Sequence, residues 1–476
     1  MGALAWVALL PWLRELSDAT PRQAFWRSYW IGILFFAGTV GWLRHVTLAG
    51  TILLVIYLAL YFGVWGWLAQ RFIVRRSWKM FLVLPAGWVI LEYVRNLLIN
   101  GFGWNLLAHT QWNWLPLIQI ADFTGVYGVS FLVVLGNLLL GQVVTGQKAT
   151  ARISISVLGA AGLCLAGVLG YGQIRLRQVD RFEAPSFKVA VVQGNIPQPE
   201  KWDEAFAEGI WKRYEQLSQT AAQGRPDLIL WPETAVPGFL EDPRVAQRLS
   251  SLVRRSGTPM LVGVPTEDGD DRLFNSAVLL GAQGEPIARH DKLHLVPFGE
   301  YIPLKPIFGW LKNVVVIGDF SPGHRFTLFQ ASDSSGAPKA PFSVLICFED
   351  LFPGLSRRFV KGGARWLVVI TNDAWFRRSG ASLQHLQASV FRAVENRVWV
   401  ARAANTGWSG FIDPAGRRLT SPHQIPRFQP GVAVAEMKAG PADSLYTRWG
   451  DWFPWGCFFL LGLGIIKPGA RLKPGT

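Results

Sequence analysis

Phe342-Ser-Val-Leu-Ile-Cys347-Phe-Glu-Asp350 reads as a short buried strand that delivers a thiol at its end. A β-branched run without strict polar alternation suits a strand covered on both faces. Strands of the same kind are predicted over 188–192, 228–231, 260–264, 276–280, 343–347, 366–371, 398–403 and 431–435, with a helix over 381–397. Short apolar runs alternating with polar helical stretches predict an α/β domain, and such folds place their sites at strand ends. Two other strand ends carry chemistry. Trp231-Pro-Glu-Thr234 puts a carboxylate after a proline that ends the run. His290-Asp-Lys-Leu-His-Leu-Val-Pro-Phe-Gly-Glu300 puts Lys292 before a second apolar stretch.

A carboxylate, a lysine and a thiol suffice for acyl transfer through a thioester. A free thiol has a pKa near 8.5 and needs a cation or a proton acceptor to become a nucleophile. Glu233 and Lys292 are the candidates beside Cys347. Each residue alone has a plain alternative: a buried strand cysteine, a loop glutamate, a surface lysine. Their order and spacing carry the weight.

The rest of the chain is of a different kind. Of 476 residues half are hydrophobic and only 17% charged, with 23 Trp and 30 Phe, which is too apolar for an ordinary soluble enzyme. Tryptophan favours the membrane–water interface. Apolar windows over 26–43, 48–68, 80–98, 117–144, 153–171 and 452–466 approach the length that crosses hydrocarbon, about 20 residues as a helix. A shorter apolar piece, 1–13, lacks the basic start and cleavage site of a signal peptide. The expected organisation is therefore N-terminal transmembrane helices over 1–171, an α/β domain over 186–440 and a C-terminal transmembrane helix over 449–467.

Arg14, Arg22 and Arg27, then Arg71, Arg75, Arg76 and Lys79, then Lys148 and Arg152, then Lys467, Arg471 and Lys473 alternate with loops poor in positive charge. The positive-inside rule puts those loops in the cytoplasm and the α/β domain on the opposite side. The net charge of +15 is accounted for by such loops, and no basic stripe with interleaved aromatics points to nucleic acid. Three cysteines, two of them (Cys164 and Cys457) in apolar runs, predict no disulfide framework. His290 and His294 lack acidic or cysteine partners at metal-binding spacing, so no metal is expected.

Trp231-Pro-Glu233, Lys292 with its His-Leu-Val-Pro-Phe-Gly-Glu300 tail, and Ile346-Cys-Phe-Glu349 together resemble the nitrilase (carbon-nitrogen hydrolase) superfamily. Within it the chain is similar to the membrane-bound apolipoprotein N-acyltransferase family. Val191-Val-Gln-Gly-Asn-Ile-Pro-Gln198, Lys201-Trp-Asp-Glu204, Thr371-Asn-Asp-Ala-Trp-Phe376 and Gln384-His-Leu-Gln387 extend the likeness over nearly the whole chain.

The resemblance implies a multi-span helical membrane domain plus a nitrilase-like α-β-β-α sandwich. It implies Glu233 as general base, Lys292 as oxyanion stabiliser and Cys347 as nucleophile. Glu300 and Glu349 match supporting acidic positions, and Trp202 and Trp375 match positions at the substrate entrance. It further implies an acyl donor phospholipid such as phosphatidylethanolamine, a diacylglyceryl-cysteine apolipoprotein acceptor, no cofactor, a monomer, and a bacterial inner membrane with the catalytic domain outside the cytoplasm. A membrane-anchored amidase and a catalytically silent partner-binding domain remain as alternatives.

An apolar loop between Lys292 and Cys347 (Pro303, Ile307, Phe308, Trp310, Leu311, Val314 to Ile317) either packs under the domain or, as expected here, forms a mobile lid that touches the bilayer. Three departures from the family pattern stand out. Phe348 replaces a frequent Tyr, Arg377 and Arg378 follow Phe376 where Gly is usual, and six potential spans, the short piece 1–13 included, precede the domain where the family has seven.

Overall fold

The computed structural model describes residues 2–74, 78–145, 155–302, 319–332 and 337–465. The N-terminal part holds α1 (Leu10–Ser17), α2 (Pro21–Val40), α3 (Leu48–Val74), α4 (Met80–Arg95), α5 (Val126–Thr145) and α6 (Ile155–Arg181). Local chemistry sets the ends. At α2, Thr20 accepts from the Gln23 N–H while the Gln23 side chain accepts from the Thr20 N–H, with Pro21 at the first helical position. One described helix, α3 with 27 residues, is long and apolar enough to cross a membrane by length and composition, and shorter apolar helices occupy 126–141 and 452–464.

The window 117–144 is not one helix. It divides into Leu115–Ile118, Ala121–Thr124 and α5. Gly125 makes the break with φ +68, and a Cβ there would meet the Tyr446 ring at 2.9 Å. Hydropathy alone does not register a single residue in the left-handed region.

Eleven described strands form two sheets. One has the order β11-β1-β2-β3-β4-β5: Gly431–Lys438, Ser186–Gln193, Leu228–Leu230, Met260–Glu267, Leu273–Leu280 and Pro286–Asp291. The other runs β10-β9-β8-β7-β6: Gln424–Ile425, Ser409–Ile412, Trp399–Ala404, Trp366–Thr371 and Phe342–Ile346. The sheets face each other through Val189, Val191, Leu230 and Leu261 on one side and Val344, Ile346, Val368 and Ile370 on the other.

The outer face of the first sheet (Ala190, Ile229, Val262) is covered by α7 (Glu204–Gln223) and α8 (Pro243–Ser256) through Ile210, Trp211, Leu249 and Leu252. The outer face of the second (Leu345, Leu367, Val369) is covered by α9 (Pro353–Lys361) and α10 (Ala381–Asn396) through Phe359, Leu386 and Val390. This is the expected α-β-β-α sandwich. The α10 layer does not face solvent, because its apolar cluster continues into Ala86, Val89, Ile90, Ile118 and Val126 of the N-terminal part. The chain closes with α11 (Trp452–Ile465).

Seven of the eight predicted strands are shifted or lengthened by a few residues, and 366–371 agrees with β7. One shift matters: Cys347 is not in the strand but opens a 3-10 turn, Cys347–Leu351. β5, β9 and β10 are too short or too polar to carry a periodic signal. The apolar loop Pro303 to Ile317 lies outside the described residues.

A buried charge contact joins the two parts. Asp122, buried after the Ala121–Thr124 turn's first residue, accepts from Arg397 Nε at 2.9 Å and from its terminal nitrogen at 2.7 Å. Arg175 Nε and the Tyr171 hydroxyl add bonds of 2.7 and 2.6 Å.

Candidate active site

The sandwich brings three strand ends together. Glu233 follows β2 on the Trp231-Pro232 step, with the Trp231 ring buried and its Nε1 donating to Ser218 at 2.9 Å. β3 approaches this turn so closely that a Cβ on Gly263 would lie 2.1 Å from the Pro232 carbonyl oxygen and 2.7 Å from Glu233 Cα. Glycine is required there because backbone meets backbone. Lys292 follows β5, and its N–H donates to the Asn275 carbonyl at 2.9 Å. Cys347 follows β6 with φ +53, a left-handed conformation that a non-glycine residue adopts at a cost. A strained turn between a strand and a helix is also how α/β-hydrolases lift a side chain off the sheet edge.

Glu233, Lys292 and Cys347 are all buried. Lys292 Nζ donates to Glu300 Oε1 at 2.9 Å and to Glu233 Oε1 at 3.3 Å. Asn275 Nδ2 bridges the same two carboxylates, 2.8 Å from each. The second oxygen of Glu233 accepts the Asn372 N–H at 2.9 Å, and that of Glu300 accepts the Val296 N–H at 2.8 Å.

Charge placement sets the protonation states. Burial alone would raise the Glu233 pKa, but Lys292 and Lys201 outweigh it and hold the carboxyl below its usual range. Burial opposes the Lys292 charge, yet Glu300 and Glu233 raise its pKa. Burial pushes the Cys347 thiol well up, Glu233 adds to that, and Lys292 opposes it. The resting arrangement is therefore a neutral thiol beside an ionised carboxylate and an ammonium.

Glu349 does not face this cluster with a free carboxylate. Its Oε1 accepts the N–H groups of Leu293 and His294 at 2.7 and 3.0 Å, and its Oε2 accepts the Ile346 N–H at 2.7 Å. It ties the lysine segment to the cysteine segment, and burial lifts its pKa to about 7. Trp202 and Trp375 stay at the surface, 52% and 38% exposed. So Glu233, Lys292, Glu300, Cys347 and Glu349 converge, and the two tryptophans lie outside that cluster, Trp375 in the turn Asp373–Phe376.

Beneath Cys347 lies a network that the catalytic residue types alone do not disclose. His385 Nε2 is 3.1 Å from the Cys347 carbonyl oxygen and 2.7 Å from Asp350 Oδ1, and its Nδ1 is 2.9 Å from Asp373 Oδ1. Arg402 reaches Asp350 and Asp373 at 3.1 and 3.3 Å. All four side chains are fully buried. Three of them, Asp350, Asp373 and His385, fall in the strings Ile-Cys-Phe-Glu-Asp, Thr-Asn-Asp-Ala-Trp-Phe and Gln-His-Leu-Gln, which marks positions without indicating roles. Asn275 had no signal at all.

Burial would lower the His385 pKa, but Asp350 and Asp373 outweigh burial and Arg402 and raise it from 6.5 to about 9. A raised histidine contributes stability that is complete below its unfolded pKa and lost as pH climbs through the folded value. The melting temperature should therefore fall between pH 6.5 and about 9, and His385→Gln should flatten that slope. An identical slope in the variant refutes the assignment.

Two departures from the family pattern acquire a physical reading. The Phe348 ring packs against Trp104, His294 and Phe352 at centroid distances of 5.6, 5.6 and 4.9 Å, a setting that asks nothing of a hydroxyl. Arg377 has φ +52 and ψ −157, a region glycine occupies freely and an arginine adopts only at a cost in strain.

A carbon-nitrogen hydrolase family model matches residues 188–445, which spans the two sheets and all these groups. A second model, described as the apolipoprotein N-acyltransferase N-terminal domain, matches residues 1–139. Apolipoprotein N-acyltransferase of Geobacter metallireducens is 43% identical over 96% of this chain and 89% of that protein. Those of Methylococcus capsulatus and Chlorobaculum tepidum are 34% and 31% identical over 94% and 99% of the chain, and 89% and 92% of their own lengths. The chain belongs to the apolipoprotein N-acyltransferase family, the acyltransferases of the carbon-nitrogen hydrolase superfamily.

Proposed function

We propose that this protein moves a fatty acyl chain from a phospholipid, phosphatidylethanolamine foremost, to the α-amine of a diacylglyceryl-cysteine at an apolipoprotein N-terminus. The observation that carries the reading is the buried cluster in which Glu233 and Lys292 flank the Cys347 turn. In the first half-reaction Glu233 takes the Cys347 thiol proton and the thiolate attacks the sn-1 ester carbonyl. Lys292 Nζ offers a fixed positive charge to the oxyanion, the kind of stabilisation that counts most in a site closed to water. The C–O bond breaks, and the leaving alkoxide takes the proton from Glu233 and departs as lysophospholipid. In the second half-reaction the amine attacks the thioester, its proton passes to Glu233, and the C–S bond breaks. The proton then returns to the thiolate and the N-acyl product leaves.

A lipid substrate accords with the N-terminal part. Trp26, Trp30, Leu34, Leu53, Ile56 and Leu163 point large apolar side chains outward. Helices with bare apolar exteriors suit hydrocarbon as solvent. We assign 1–171 and 449–467 to membrane-spanning segments and 186–440 to a catalytic domain outside the cytoplasm of a bacterial inner membrane, acting as a monomer. Glu300 and Glu349 are proposed as site supports and Trp202 and Trp375 as walls of the substrate entrance.

Intact-mass spectrometry after incubation with phosphatidylethanolamine, beside a Cys347→Ala control, tests the reading. Expected is an added acyl mass on the wild-type chain alone, discharged by a diacylglyceryl-cysteine peptide as its N-acylated product. An adduct discharged only by water favours an amidase or esterase, and no adduct on folded protein favours a silent domain.

A further inference from the structure

A second buried lysine stands at the site. Lys201 Nζ donates to the Glu233 carbonyl oxygen at 2.9 Å and to Thr234 Oγ1 at 2.7 Å. It is 5% exposed. Burying an ammonium is costly, and a side chain that only filled space would be apolar. What it grips is unusual. Thr234 has φ +42, and a β-branched residue in the left-handed region is a true outlier that its surroundings must hold in place. That turn decides where the Glu233 carboxylate points. A neighbouring residue makes a parallel tie: Gln198 Oε1 accepts from Asn372 Nδ2 at 2.7 Å, and the Asn372 N–H is the donor to Glu233 Oε2. The segment 198–202, which ends on the exposed Trp202, is thus fastened to the Glu233 turn directly through Lys201 and to its carboxylate through Gln198 and Asn372.

We infer that Lys201 is a positioning residue for Glu233: its ammonium fixes the strained turn that aims the carboxylate and helps keep that carboxylate charged. The inference rests on the reading of Glu233 as the base and adds a residue to it. The titratable groups that face Lys201 are Glu233 from the turn after β2 and Cys347 from the turn after β6. Burial lowers the Lys201 pKa to about 8 against the attraction of both. Its charge is therefore present at neutral pH and is lost as pH rises through that value, and with it part of the electrostatic support of Glu233.

The test uses the full chain in phospholipid nanodiscs, with Lys201→Met and Lys201→Arg. Two rates are followed from pH 6 to pH 10: acyl-enzyme formation from phosphatidylethanolamine, and alkylation of Cys347 by iodoacetamide, which needs no lipid chemistry. For Lys201→Met, acyl-enzyme formation should slow by about 10- to 100-fold, the loss of one charge-assisted hydrogen bond or two. Its KM for the lipid should stay unchanged, and Cys347 alkylation at pH 7 should slow about three- to tenfold as the thiol titration moves upward. Lys201→Arg, which cannot lose its charge, should recover part of the rate and push the alkaline limb above the wild-type position.

Wild-type rates and profiles in Lys201→Met overturn the proposal. So does a loss shared equally by both variants with a changed KM, the mark of a merely structural lysine. If Lys201→Met does not fold, a folded Lys201→Arg with an unmoved alkylation profile overturns it as well. If the wild-type chain accepts no acyl group, the proposed function fails, and the alkylation profiles still decide the role of Lys201.

Discussion

Replacing Glu233 with glutamine should slow acyl-enzyme formation by about 10²- to 10⁴-fold, the range that a positioned general base supplies. The substitution keeps size and shape, so the Trp231-Pro232 turn against Gly263 has no reason to move. It removes the proton acceptor and leaves the Cys347 thiol, already pushed up by burial, without a partner of sufficient basicity. It also puts an amide where one oxygen accepts the Asn372 N–H and the other accepts from Asn275 and Lys292. Lys292 keeps Glu300 at 2.9 Å, so it remains charged and in place. The loss should therefore fall on the chemical step and leave phospholipid binding intact. Single-turnover acylation with an unreactive phospholipid as competitor separates the two. A drop of less than about tenfold would remove Glu233 from the role of base.

Asp122→Ala should cost about 3–5 kcal/mol of stability, the usual consequence of stranding one partner of a buried ion pair. Arg397 would lose both of its carboxylate bonds while fully enclosed, and Arg175 and Tyr171 would lose theirs. The exposed pair Arg244–Asp242 gives the contrast: Arg244 is 92% exposed, and solvent screens a surface pair of that kind. Thermal unfolding of the full chain in detergent, comparing Asp122→Ala with Arg244→Ala, which leaves the Asp242 helix cap intact, measures the difference. Because Asp122 belongs to the N-terminal part and Arg397 follows α10, a large effect would also mean that the two parts melt together. Equal melting curves for the two variants would mean that the charge contact holds nothing.

Much of this was readable from residue order. The strands around Val189, Leu230, Val344 and Val368 announce themselves because burial on both faces leaves unbroken apolar runs. Glu233 and Cys347 are found because each closes such a run, whereas Lys292 follows the polar β5 and stands out only through the apolar stretch after it. Cys347 was one residue out of place, since a strand and the left-handed turn that ends it use the same apolar vocabulary and differ only in φ. The break at Gly125 was hidden for the same reason. The network of His385, Asp350, Asp373 and Arg402 was not legible as a unit, because its members come from four separated segments and meet only when β6, β7, β8 and α10 are stacked. Asn275 illustrates the limit. An asparagine inside a strand signals nothing until the fold sets it between two carboxylates.

The four consecutive residues Cys347, Phe348, Glu349 and Asp350 leave one short turn in four directions, and each is spoken for. The thiol meets the Glu233 and Lys292 side, and the phenyl ring meets Trp104 and His294. The glutamate takes three backbone N–H groups, and the aspartate takes His385 and Arg402. Such a turn can exchange one letter for another, as Phe348 illustrates, but it cannot change its length. One added residue would rotate every later side chain into a neighbour's berth. The stretch therefore tolerates another side chain only where packing alone is asked of it, as at Phe348, and an added residue nowhere, while the surface loops of the same sandwich carry no such constraint.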